Sequence, residues 1–130
     1  MYKRLFTIIA FFSFILTSCE NDKAVTKLSD GTKIINSSTL IETKGYQSKT
    51  PVEVYVKDGT VLKVVTLPNT ETPSYFRRIS TYLIPLYENK SVDEALELSK
   101  NMHVDGCTGA TYSVRSVQKN INAALEHISK

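Results

Sequence analysis

Residues 52–66 carry the pattern that most limits what this chain can become. Val52, Val54 and Val56 alternate with Glu53, Tyr55 and Lys57, Asp58-Gly59 follows, and "TVLKVVT" restores an apolar run. Successive side chains of a strand point to opposite faces, so one face here is apolar and the other wet. Asp-Gly is a favoured type I′ hairpin turn because glycine accepts positive φ. The segment therefore reads as an antiparallel hairpin with an apolar face to cover. "STLIETKGY" (Ser38–Tyr46), with its β-branched and aromatic residues, is expected as a neighbouring strand.

The cover is expected from the C-terminal half. Phe76, Ile79, Leu83 and Leu86 recur at helical spacing. Pro85 must end or kink that helix, because it lacks an N–H and clashes with the preceding turn. Ser91, three residues before Glu94, has the spacing of a capping box opening a second helix. Val114, Val117, Ile121, Leu125 and Ile128 form one apolar stripe on a last helix running from about Tyr112 to Ile128. Strands first and helices after predict an α+β domain, a small antiparallel sheet with helices packed on one face.

The start of the chain has another character. Lys3 and Arg4 precede "LFTIIAFFSFIL" (Leu5–Leu16), which carries no charge. At twelve residues this run is shorter than the roughly 20 that span a bilayer. A basic start, a short apolar core and then small residues read as a secretory signal. Its end, "LTSC" (Leu16–Cys19), resembles the bacterial lipobox. That resemblance implies a lipoprotein signal peptide over 1–18, acylation of Cys19, a lipidated tether over 19–33 and a domain over 34–130. The expected location is extracytoplasmic, lipid-anchored to a bacterial membrane.

Removing Lys3 and Arg4 from the 16 basic residues leaves 14 against 13 acidic ones, a net charge of +1. Charge therefore gives no case for a nucleic-acid partner. With Cys19 lipidated, Cys107 is the remaining thiol, and no intramolecular disulfide is possible.

"DGCTGAT" (Asp105–Thr111) stands directly before the last helix. The first turn of a helix has N–H groups without intrahelical partners, and with the helix dipole they attract a phosphate. Gly106 and Gly109 let the backbone bend and approach closely. Thr108, Thr111 and Ser113 supply hydroxyls, which can hydrogen-bond a phosphate or be esterified by one. The same residue types also make an ordinary turn and N-cap, so the residues alone leave both readings open.

Residues from about 40 to 130 resemble the FMN-binding domain found in the covalent flavin subunits of bacterial sodium-pumping NADH:quinone reductases and Rnf complexes. The resemblance rests on "KGY" (Lys44–Tyr46), the Asp-Gly hairpin, "NTETP" (Asn69–Pro73), and "DGCTGAT" followed by "YS". It implies a covalent FMN, joined as a phosphoester to Thr111 Oγ, with Gly109 and Ala110 keeping that hydroxyl accessible. It implies that Asp105 is recognised by a flavin transferase, a separate enzyme using FAD and magnesium, and that Gly106 and Thr108 belong to the same motif. Glu71 and Thr72 would lie near the flavin ring, and Tyr112 beside the attachment point. One departure is Ser74, where the family often has glycine after the proline.

The function implied is that of a membrane-anchored carrier passing electrons between redox proteins outside the cytoplasm, rather than a stand-alone enzyme. The alternative is a lipoprotein of the same fold without covalent flavin, acting as a ligand-binding or interaction module. His103 and His127 lie far apart without zinc-type spacing, so no metal is expected. Arg77 and Arg78 suit either steering of an acidic partner or a solvated helix face.

Overall fold

The computed structural model describes residues 23–100, 104–107 and 109–130. The expected signal peptide, Cys19, His103 and Thr108 lie outside the described residues. Four antiparallel strands form one sheet in chain order: β1 (Val25–Lys27), β2 (Lys33–Asn36), β3 (Val52–Lys57) and β4 (Thr60–Thr66). Lys57 pairs with Thr60 across the expected turn, where Asp58 (φ 51°) and Gly59 (φ 73°) both take the positive φ of type I′.

The register shifts between Tyr55 and Val56, and this bulge re-phases β4. Val61 and Val64 are buried there, three residues apart, whereas Leu62 and Lys63 are exposed. On the wet face, Lys63 Nζ stands 4.5 Å above the Tyr55 ring.

The second neighbour of β3 is β2, not Ser38–Tyr46. Ile35 pairs with Val54, and both are fully buried. Ser37–Thr39 is a single 3-10 turn, and residues 40–51 run irregularly with one bridge, Lys44 to Lys49. Side-chain bonds replace a ladder. Ser37 Oγ accepts from Val52 N–H (2.9 Å) and donates to Asn120 Oδ1 (2.6 Å). The Thr43 and Thr50 hydroxyls meet Ser116 Oγ at 2.7 and 2.6 Å, and Asn120 Nδ2 donates to Thr43 Oγ1 at 3.0 Å. Serine and threonine offer the chain this alternative to sheet pairing, and here a helix supplies their partners. β1 is a further departure: the sheet takes in three residues that read as tether from their polar surroundings.

Among the described residues there are three α-helices, α1 (Pro73–Arg78), α2 (Val92–Leu98) and α3 (Thr111–Ser129), of which α2 and α3 pack on the sheet, whereas α1 packs on the turn that follows it. After α1 the chain widens into a turn in which Ile84 N–H bonds the Ile79 carbonyl, then tightens over Ile84–Tyr87, where Pro85 sits. That change of pitch turns Ile79, Leu83, Ile84 and Tyr87 inward and leaves Leu86 exposed, against the simple helical spacing. At α2 both capping-box bonds form, each at 3.2 Å. The stripe of α3 joins the β3 valines in one core, with Val117, Ile121 and Leu125 fully buried. Each such side chain contributes about 1.5–3 kcal/mol by leaving water. Among the described residues no helix is long and apolar enough to cross a membrane.

Candidate functional site

The two glycines of "DGCTGAT" take positive φ, 87° at Gly106 and 84° at Gly109, which side chains rarely adopt. Both lie beneath tyrosine rings. A Cβ on Gly106 would stand 2.7 Å from the Tyr82 ring, and one on Gly109 would stand 3.2 Å from Tyr75 Cε1. Cys107 turns inward between them, its Sγ 3.6 Å from the Arg78 carbonyl. Burial pushes its thiol pKa up, partly offset by the charge of Arg78. The loop thus docks on α1 and the turn after it.

Ala110 is the N-cap of α3 and supplies no side-chain cap, and no acidic residue stands in the first turn. The positive end of a helix of 19 residues is left without an acidic or capping side chain from its own first turn. Thr111, the first residue of that helix, is exposed. Ser113 is buried, and its hydroxyl is committed to Glu71 Oε2 at 2.9 Å. Of these two residues only Thr111 is exposed. Asp105 is exposed on the same loop.

Glu71 is not a solvated loop acid. It is 5 % exposed and accepts from Tyr46 N–H (3.2 Å), Gln47 N–H (3.0 Å), Ser48 N–H (2.9 Å) and Ser113 Oγ. Burial is the largest influence on its pKa and raises it, but these donors together outweigh burial and hold it below the ordinary 4.5. Gly45 makes room for this arrangement, since a Cβ there would run into the carboxylate, 2.9 Å from its Cδ. The role of Gly45 was not read from sequence, although "KGY" and "ETP" were both singled out.

These pieces meet around a pocket of about 280 Å³. Tyr46 comes from the irregular loop, Glu71 and Thr72 from the turn into α1, and Tyr75 from α1 itself. Gly109, Ala110, Tyr112 and Ser113 complete the lining. Ser74 is exposed in α1 and lies outside that lining, so its Cβ does not narrow the pocket. Among the described residues no group of three or more His, Cys, Asp and Glu is arranged to hold a metal ion.

The arrangement fits a phosphate-bearing aromatic cofactor. The start of α3, without a side-chain cap from Ala110, suits the phosphate, the exposed Thr111 stands there between the lining residues Ala110 and Tyr112, and a tyrosine-lined recess suits a flat ring. Such a pocket is slightly smaller than the roughly 300–1,000 Å³ that encloses a whole small ligand, so part of the cofactor would remain at the surface.

No curated protein and no solved structure matches the chain. The FMN-binding domain family matches residues 45–126, well over half the length, from the glycine against Glu71 to the last turns of α3. The chain belongs to the FMN-binding domain family.

Proposed function

We propose that this protein is a membrane-anchored extracytoplasmic flavoprotein that carries FMN as a phosphoester on Thr111 and moves electrons between redox partners. The observation that supports it most is the exposed residue Thr111 at the start of α3, flanked in the chain by Ala110 and Tyr112 of the pocket lining. In maturation by a flavin transferase, the Thr111 hydroxyl loses its proton and takes the FMN phosphoryl group from FAD, releasing AMP. A bound FMN supplies one- or two-electron chemistry, and the protein supplies position and electrostatics. The N–H groups of the first turn of α3 stabilise the phosphate, Gly109 and Ala110 leave the approach to Thr111 open, and Asp105 faces the transferase. A covalent bond suits a compartment where the cell's FMN pool is absent.

The lipid-free domain is to be produced with a flavin transferase and measured by intact mass and visible spectrum. The expected product is yellow and keeps its flavin through denaturation and acid precipitation. Thr111→Val keeps the shape and loses the covalent flavin. Covalent flavin on Thr111→Val but not on Thr108→Val would move the attachment point to Thr108. A wild type without covalent flavin would leave the interaction-module reading in its place.

A further inference from the structure

Tyr82 is a large side chain that stands outside the core. It is 49 % exposed, whereas Ile79 and Leu83 of the same turn are fully buried in the core. That turn is the widened one after α1, in which Ile84 N–H bonds the Ile79 carbonyl. Turns of this pitch displace a side chain from the regular helical order and recur at functional sites. What the Tyr82 ring covers is backbone. A Cβ on Gly106 would lie 2.7 Å from both Cγ and Cδ2 of the ring and 2.9 Å from Cε2, so the ring lies against a stretch of chain that has no side chain.

The covered backbone is a turn of definite geometry. Cys107 N–H donates to the Val104 carbonyl (3.3 Å), which makes Asp105 and Gly106 its two central residues. The positive φ of Gly106, 87°, at the second of these places is that of a type II turn. A second turn follows at once: Ala110 N–H donates to the Cys107 carbonyl (3.0 Å), with Gly109 in the corresponding place at φ 84°. Val114 N–H then donates to the Ala110 carbonyl (2.9 Å), and α3 has begun at Thr111. Two turns in series therefore set where Asp105 stands relative to Thr111. A surface turn closed by one long hydrogen bond opens readily. Here packing restrains it from both sides: Cys107 points inward, 5 % exposed, and the Tyr82 ring lies on Gly106.

We propose that Tyr82 is a positioning residue for flavin transfer: its ring holds the Asp105–Gly106 turn in the shape that a flavin transferase takes up when it loads Thr111. The inference rests on the proposed attachment at Thr111. It adds a residue that lies outside the "DGCTGAT" segment and outside the pocket lining. Tyr82 acts through the turn and not on the cofactor. Its removal therefore slows loading while leaving the core, to which it does not belong, in place.

The test uses the chain from residue 19 with Cys19→Ser, in which Cys107 is the one thiol, alone and with Tyr82→Ala or Tyr82→Phe added. Intact mass follows transfer from FAD by the transferase, and far-ultraviolet circular dichroism reads the fold. Before any flavin is added, the rate at which an aromatic disulfide reagent modifies Cys107 reads the turn, because a buried thiol is inert. Tyr82→Ala is expected to keep the fold and to make Cys107 react faster. Its kcat/KM as acceptor is expected to fall roughly 10- to 100-fold, the scale of a misplacement of about 1 Å. Tyr82→Phe keeps the ring and matches the parent in both readings. Unchanged transfer to Tyr82→Ala overturns the proposal. Slow transfer with an unchanged thiol rate also overturns it, and makes Tyr82 a direct contact of the transferase. If the parent takes no flavin, the attachment reading fails and the role in transfer falls with it, and a thiol exposed only in Tyr82→Ala still upholds the ring as the support of the turn.

Discussion

Glu71 shows how one side chain can be visible in a sequence while its partners are not. The resemblance of "ETP" to a flavin-facing loop implies that the acid is a neighbour of the ring. The structure brings Glu71 to the pocket lining, but its oxygens are occupied by three backbone N–H groups and one hydroxyl. Those donors come from residues 46–48 and 113, and nothing in spacing or composition announces such a meeting. The linkage has a definite sign. A carboxyl with a depressed folded pKa stabilises the fold above its unfolded value, and the contribution is lost as pH falls below 4.5 toward the lower folded value. Glu71→Gln puts an amide donor among donors and is expected to cost about 1–3 kcal/mol at neutral pH. Urea titrations at pH 7 and at acid pH check this: the gap between wild type and variant should shrink on acidification. A gap that widens in acid would assign the loss to something other than the ionised carboxylate.

At the scale of elements, three locally spaced features were legible, whereas the Phe76–Leu86 spacing and the aperiodic segment after β2 were not. The hairpin, the capping box and the stripe of α3 all follow from local spacing, and each forms as expected. Ser38–Tyr46 has strand-like composition but lacks a partner strand, since β2 already occupies that side of β3. Its conformation is decided by α3, whose buried face carries Ser116 and Asn120 among the apolar residues. Sequence shows these as polar interruptions of a helix stripe and does not show what they bind. The pairing predicts a selective effect. Asn120→Ala removes the partner of the Ser37 hydroxyl and one donor to Thr43. A loss of about 1–3 kcal/mol is expected for buried groups left unsatisfied. In a domain of this size each kcal/mol lowers Tm by about 4–8 °C. Hydrogen exchange should show faster amides over residues 37–51 while the β3–β4 hairpin keeps its protection. Equal loosening of both would mean that the network supports the whole core rather than this segment.

For the whole molecule, the open matter is attachment to a membrane. Cys19 is the expected anchor, and among the described residues no helix substitutes for it. Cys19→Ser is expected to release the domain into a soluble extracytoplasmic fraction with unchanged circular dichroism. Retention on membranes after a carbonate wash would count against the lipid. The position of β1 then acquires a meaning beyond the sheet. Asn36 N–H bonds the Ala24 carbonyl, so the chain joins the sheet level with the Ser37–Asn120 contact, midway along α3. The Gly31 turn lies at the other end, beside Ser129. From Cys19 to Ala24 the backbone can reach at most about 18 Å, since each residue adds about 3.3–3.6 Å. With Cys19 lipidated as proposed, a leash that short would convert the search for a partner from a volume into a thin layer over the bilayer. Local concentration there would favour partners embedded in the same membrane over those diffusing in water.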